Sequence, residues 1–172
     1  ELAMINDIFR SEGAPPPDLF PTIESARGLL GIEAIAGFNG VAGLWFGPAD
    51  LAIDTGFDWF VDGDVNREAF YYPRMRVVLT AAAYKLPVFE GAIFPNFRDK
   101  TEVGRRARQM RRLGITGMIT FYPPPLETLT ELFGRSEAEC AYAREWVTTY
   151  ESELLKAPRA SYSSGYALIV SE

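Results

Sequence analysis

Apolar residues recur along this chain in two rhythms: short continuous runs and stripes at helical spacing. Runs at 18–23, 41–46, 88–94 and 116–121 have the length of buried strands. Between the runs, Met75, Val78, Leu79, Ala82, Ala83 and Leu86 form one helical stripe, and Val103, Ala107 and Met110 form another. Residues 2–12 read as a helix with Leu2, Ile5, Ile8 and Phe9 on one side, broken by Gly13 and the prolines at 15–17. Ser25 caps a helix expected to run to about residue 36, weakened by Gly28 and Gly31. Residues 57–72 read as a loop rich in aromatics and aspartates, because Pro73 suits a first helical position. Asp99 and Glu102 are spaced as a capping box, and Gly114 closes the helix they open.

After the prolines at 123–125 the alternation stops, and two helices follow with no strand between them. The first covers 126–133; the second is capped by Ser136 with Glu139 three residues on, and its stripe of Cys140, Ala143, Val147, Tyr150 and Leu154 is expected to be buried. Beyond Pro158 the helical rhythm is lost, and 168–170 reads as a last strand.

Four strand-helix units predict a parallel α/β architecture. Glu24 and Asp50 then stand at corresponding ends of consecutive strands, 26 residues apart, and a strand-helix-strand unit takes roughly 30 residues. Carboxylates at strand ends suit the C-terminal rim of a (β/α)8 barrel, which needs about 250 residues, so 172 residues supply about half of one. Around Asp50 an apolar run is halted by Gly47 and Pro48 and a short helix follows, offering the amides of Ala49 and Asp50 to an anion. From this stretch alone an ordinary helix cap explains Asp50 better than a ligand does.

Composition narrows the chemistry. Hydrophobic residues make up 48% and charged residues 23%, which is ordinary for a folded domain. With no histidine and one cysteine, Cys140, an internal disulfide is impossible and a metal would have to be bound by carboxylates. A net charge of -6 argues against nucleic acid, and the arginines at 105, 106, 108, 111 and 112 read as a solvated helix face. No apolar run approaches the roughly 20 residues of a membrane span, and no basic leader opens the chain, so a cytoplasmic protein is expected. The start at Glu1 suggests a fragment or a processed chain. Asp62, Asp64 and Asn66 imitate a calcium loop, but Arg67 and Pro73 replace the glycine and glutamate that it requires.

Three segments carry a family resemblance: the stretch from Thr22 to Gly28, the stretch from Phe46 to Leu51, and Phe97-Arg98-Asp99. Together they resemble the HpcH/HpaI aldolase and citrate lyase beta subunit family, and the likeness continues to about Tyr150, closer to the citrate-lyase-like branch. The resemblance implies the C-terminal half of a TIM barrel at 1–123 and, at 124–172, a helical extension at an oligomer interface of a homotrimer or homohexamer. It also implies that Glu24 and Asp50 bind a divalent metal, Mg²⁺ or Mn²⁺, while the amides around Gly47, Pro48, Ala49 and Asp50 hold a substrate carboxylate. The chain departs from the branch at Tyr122-Pro123, where a His-Pro pair is usual, at Met118, where Lys is common, and at Ser164-Gly165, where Asp-Gly is familiar.

The expected function is therefore a metal-dependent carbon-carbon lyase or aldolase acting on a 2-oxo acid, or a related acid or acyl-CoA, through a metal-stabilised enolate. Tyr122 is the candidate for proton transfer near the site, with Glu90 of similar standing. The alternatives are a citrate-lyase-like CoA-ester lyase, or a noncatalytic ligand- or subunit-binding protein of the same fold. This chain alone is expected to be inactive.

Overall fold

The computed structural model describes residues 1–61, 64–91, 98–156, 160–163 and 166–169. They divide into two compact units, Glu1–Phe133 and Gly134–Glu172.

The first unit opens with α1 (Leu2–Ser11), and strands β1 (Thr22–Ile23) and β2 (Leu44–Phe46) flank two short helices, α2 (Ala26–Leu30) and α3 (Ile32–Ala36). The single helix expected at 25–36 is thus broken at Gly31, whose N–H returns to the Arg27 carbonyl and closes α2. Helix α4 (Pro48–Thr55) leaves β2 at once, with Pro48 as its first residue, and ends on Gly56 in the left-handed region at φ 74°. A hairpin of β3 (Phe60–Val61) and β4 (Asp64–Val65) then occupies part of the stretch expected to be irregular.

Helix α5 (Arg67–Ala83) begins earlier than Pro73 suggested. Asn66 caps it, its side chain accepting the Ala69 N–H, so Pro73 is a buried residue inside the helix and not its start. Strand β5 (Val88–Gly91), helix α6 (Lys100–Arg112), strand β6 (Gly117–Ile119) and helix α7 (Leu126–Phe133) complete the unit. The strand expected at 88–94 is described only as far as Gly91.

Strands β1, β2, β5 and β6 form one sheet in that order, every pair parallel. Ile23, Phe46, Glu90 and Met118 share one register layer, and their neighbours on the opposite face are Thr22, Trp45, Phe89 and Gly117. The helix-facing side holds the core: Ile23, Leu44, Phe46 and Val88 pack with Ile32, Phe70 and Val77. At about 25 cal/mol per Å² of apolar surface removed from water, such burial is the main force ordering the sheet. Helix α7 packs on α6 through Leu129 with Val103 and Ala107, and so belongs with the barrel unit and not with the C-terminal extension.

Of the apolar side expected in α1, Leu2 and Ile5 are half-buried, whereas Ile8 and Phe9 are exposed. In the second unit, α8 (Glu137–Lys156) starts with the complete capping box: Glu139 accepts the Ser136 N–H, and Ser136 Oγ accepts the Glu139 N–H. Its stripe is not buried as expected, because Ala143, Val147 and Tyr150 are exposed and Cys140 is half-buried. The side chain of Leu154 lies outside the described residues. Strands β7 (Ala160–Ser163) and β8 (Tyr166–Ile169) pair as an antiparallel hairpin, so the last strand begins before residue 168.

Candidate functional site

Parallel pairing sends β1, β2 and β6 toward one rim, and the candidate residues follow their C-terminal ends: Glu24 directly after β1, Asp50 in the first turn of α4 after β2, and Tyr122 after β6. β1 and β2 are hydrogen-bonded neighbours, so Glu24 and Asp50 belong to adjacent strand ends, where separations of about 4.8 Å are usual. Tyr122 follows a strand three places from β1 in the sheet order, so strand pairing does not bring it beside Glu24.

Glu24 follows Ile23, which pairs with Phe46, so the next layer sets Glu24 against Gly47. A Cβ placed on Gly47 would lie 2.8 Å from Glu24 Cβ and 3.1 Å from Glu24 Oε2. Gly47 has an unexceptional φ of -107°, so what the position requires is space for the glutamate. Both Glu24 and Asp50 are exposed, which leaves their oxygens accessible to a hydrated ion. With no histidine in the chain, this donor set suits a hard divalent cation that keeps part of its water. Among the described residues no group of three or more acidic or soft ligands converges, so protein donors beyond this pair are not assembled here.

The anion cradle read from the sequence rests on few donors. The Gly47 N–H is taken by the Ile23 carbonyl at 3.0 Å, and Pro48 has no N–H, so the first-turn donors of α4 reduce to Ala49 and Asp50. Among the described residues no side chain caps this helix start. Its first intrahelical bond runs from the Leu51 N–H to the Gly47 carbonyl at 3.2 Å.

Glu90 is removed from the rim. It points into the helix layer, where both its oxygens accept from Arg74 at 2.7 and 2.8 Å and both side chains are buried. The Arg74 guanidinium also stands 5.7 Å from the centre of the Phe46 ring. Met118, in the same layer, packs against the apolar core. A cavity of about 120 Å³ lined by Tyr71, Arg74, Glu90, Arg106, Gln109 and Met118 therefore lies on the helix-facing side, apart from Glu24 and Asp50. Tyr122 is half-buried: its N–H goes to Thr120 Oγ1 at 3.1 Å, and the Arg98 guanidinium lies 6.0 Å from its ring centre.

Two residues escaped the sequence reading. Asp54 Oδ2 accepts the Ala26 N–H at 2.8 Å, joining α4 to the segment after Glu24; the signal was its spacing of four from Asp50. Trp45 lies on the same sheet face as Glu24, and its indole N–H is buried beside Gly91 without an acceptor among the described residues. A tryptophan in the middle of a strand carries a polar handle that needs a partner.

A half-sheet of parallel strands, with Glu24 and Asp50 following the ends of neighbouring strands, defines the class, an α/β barrel protein. The chain belongs to the HpcH/HpaI aldolase/citrate lyase family, whose profile matches residues 16–123. It is similar to the mitochondrial citramalyl-CoA lyase of Mus musculus, at 26% identity over 79% of this chain and 41% of that protein. It is also similar to the (3S)-malyl-CoA thioesterase of Cereibacter sphaeroides KD131, at 28% identity over 80% of this chain and 46% of that one. The chain thus spans less than half the length of these relatives. Among solved structures, RipC from Yersinia pestis matches with a TM-score of 0.68 at 26% identity, covering 81% of this chain and 62% of that one. A citrate lyase from Burkholderia xenovorans matches with a TM-score of 0.78 at 18% identity, over 98% and 53%. CitE from Mycobacterium tuberculosis, in complex with magnesium, acetoacetate and coenzyme A, matches with a TM-score of 0.69 at 17% identity, over 99% and 60%. The fold is that of the C-terminal half of a (β/α)8 TIM barrel followed by C-terminal helices.

Proposed function

We propose that the protein is a divalent-metal-dependent carbon-carbon lyase acting on a 2-oxo acid or a related acyl substrate, with Glu24 and Asp50 as the metal-holding carboxylates. The observation that carries this reading is the placement of both at the ends of adjacent parallel strands, with Glu24 accommodated over Gly47. Family membership supports a lyase, and the names of the curated relatives make CoA esters the first substrates to try.

Cleavage of the Cα–Cβ bond of a substrate with a hydroxyl on its β carbon turns that carbon into a carbonyl as the hydroxyl proton leaves. The electron pair of the broken bond moves onto the carbonyl oxygen of the other fragment as an enolate. When bound, Mg²⁺ or Mn²⁺ supplies positive charge beside that oxygen. The amides of Ala49 and Asp50, strengthened by the start of α4, orient the substrate carboxylate. Tyr122 serves as the proton-transfer group, its ring lying against Arg98. For self-association we propose the aromatic face of α8, formed by Tyr142, Trp146 and Tyr150, as the contact surface. Sedimentation of the full-length protein as a monomer at micromolar concentration would contradict that assembly.

The test is a metal titration of the full-length protein, followed by an assay for 2-oxo acid release from CoA esters and free acids with and without Mg²⁺. Metal-dependent release supports the lyase. Metal binding with no turnover on any of these substrates supports a noncatalytic binder, a reading favoured by the burial of Glu90 against Arg74, away from the rim.

A further inference from the structure

Two carboxylates on different strands can share one cation only while the segments bearing them keep a fixed separation. In this chain one hydrogen bond between residues 28 apart in sequence links those segments: Asp54 Oδ2 accepts the Ala26 N–H at 2.8 Å. Asp54 lies one helical turn after Asp50, on the same face of α4, and Ala26 lies two residues after Glu24. The bond therefore runs from the helix that bears one carboxylate to the segment that bears the other.

The surroundings make this tie effective. On the α4 side, Leu51 and Ala52 are buried in the core, so the helix is anchored on the face away from Asp50. On the Glu24 side, Ser25 Oγ accepts the Gly28 N–H at 3.1 Å and shapes the start of α2 locally. That local cap leaves the Ala26 amide to Asp54, a charged acceptor that forms the stronger kind of hydrogen bond. Among the described residues no group of three acidic side chains converges, so Asp54 is not placed as a third metal ligand.

We propose that Asp54 is a positioning residue of the metal site: it holds the Glu24 segment against α4 so that Glu24 and Asp50 reach one cation. The proposal rests on the reading of those two residues as metal ligands. A partner that orients a ligand without touching the metal typically changes affinity by about 10- to 100-fold.

The test is calorimetric titration of the full-length protein with Mn²⁺, together with thermal unfolding, for the wild type and for Asp54→Ala, Asp54→Asn and Asp50→Asn. Alanine removes the acceptor without weakening the helix, whereas asparagine keeps an acceptor oxygen and removes only the charge. The proposal predicts that Asp54→Ala loses Mn²⁺ affinity about tenfold or more while Asp54→Asn stays close to the wild type. A lowered melting temperature with unchanged affinity in Asp54→Ala would show a merely structural role and overturn it. A loss in Asp54→Asn equal to that in Asp50→Asn would make Asp54 a ligand and also overturn it. Unchanged affinity in Asp50→Asn would instead remove the metal-site reading itself, and the Asp54 proposal with it. Should Asp54→Ala not fold, Ala26→Pro takes its place under the same criterion: it removes the N–H donor at the first position of α2, where proline is tolerated after the extended Ser25.

Discussion

The side chain of Glu24 crosses the end of strand β2 directly over Gly47, so closely that a methyl carbon on Gly47 would stand 2.8 Å from Glu24 Cβ. Thr22 Cγ2 would lie 3.0 Å from the same carbon, so the glutamate cannot yield toward β1 without moving its neighbour. Gly47→Ala is therefore expected to displace Glu24, to cost about 1–3 kcal/mol of stability through overpacking, and to weaken metal binding. Urea unfolding and metal titration on one preparation check this. Wild-type values in both would show that the rim is loose enough to absorb a methyl group.

The pairing of Arg74 with Glu90 predicts an asymmetry between single and double substitution. Both side chains are buried and joined by two hydrogen bonds, so Arg74→Met leaves an unpartnered carboxylate and is expected to cost about 3–5 kcal/mol. Replacing both, Arg74→Met with Glu90→Leu, removes the stranded charge and should recover much of that loss. A double-mutant cycle from denaturant midpoints measures it, and purely additive losses would contradict the picture of a mutually dependent pair.

Helix α6 carries a pH-dependent contribution. Hydrogen bonds from Arg105, opposed by burial and reinforced by Arg106, hold the Glu102 carboxyl at about 2 in place of its ordinary 4.5. A depressed carboxylate stabilises the folded state above its unfolded pKa and loses that contribution as pH falls through the folded value. The stability difference between the wild type and Glu102→Gln should therefore be full above pH 4.5 and shrink toward pH 2. Parallel pH profiles for the two proteins over that window would refute the assignment. Its neighbour Asp99 accepts from the amides of Thr101 and Glu102, so Asp99→Ala is expected to cost about 1 kcal/mol at neutral pH.

Tyr122→Phe separates proton transfer from binding. If the hydroxyl moves a proton, turnover should fall by roughly 100-fold or more while metal affinity holds. Unchanged turnover would reduce Tyr122 to a packing residue beside Arg98.

The four strands, and the positions of Glu24 and Asp50 just after two of them, were legible in the sequence because both depend on local pattern. An apolar run followed by Gly47-Pro48-Asp50, or by Glu24-Ser25, marks where a strand stops and a helix begins. Helix starts were less legible where two signals competed. Pro73 offered one start for α5, and Asn66, hidden among aromatics and aspartates, supplied the cap that the chain uses. The direction of Glu90 was not legible, since alternation within a four-residue strand shows which residues share a face but not which face meets the helices. Contacts between residues distant in sequence, such as Asp54 with Ala26 or Arg74 with Glu90, leave no local trace. For α8, helical spacing showed the stripe correctly, but its exposure depends on what the stripe meets.

The most direct test of the metal-site assignment is calorimetric titration of the full-length protein with Mg²⁺ and Mn²⁺, comparing the wild type with Glu24→Gln and Asp50→Asn. Each substitution keeps the size of the side chain while removing one ligand charge. The account predicts that the wild type binds one divalent ion per chain and that each variant loses affinity by about tenfold or more, with any lyase activity falling in step. Unchanged affinity in both variants would place the metal elsewhere and contradict the assignment.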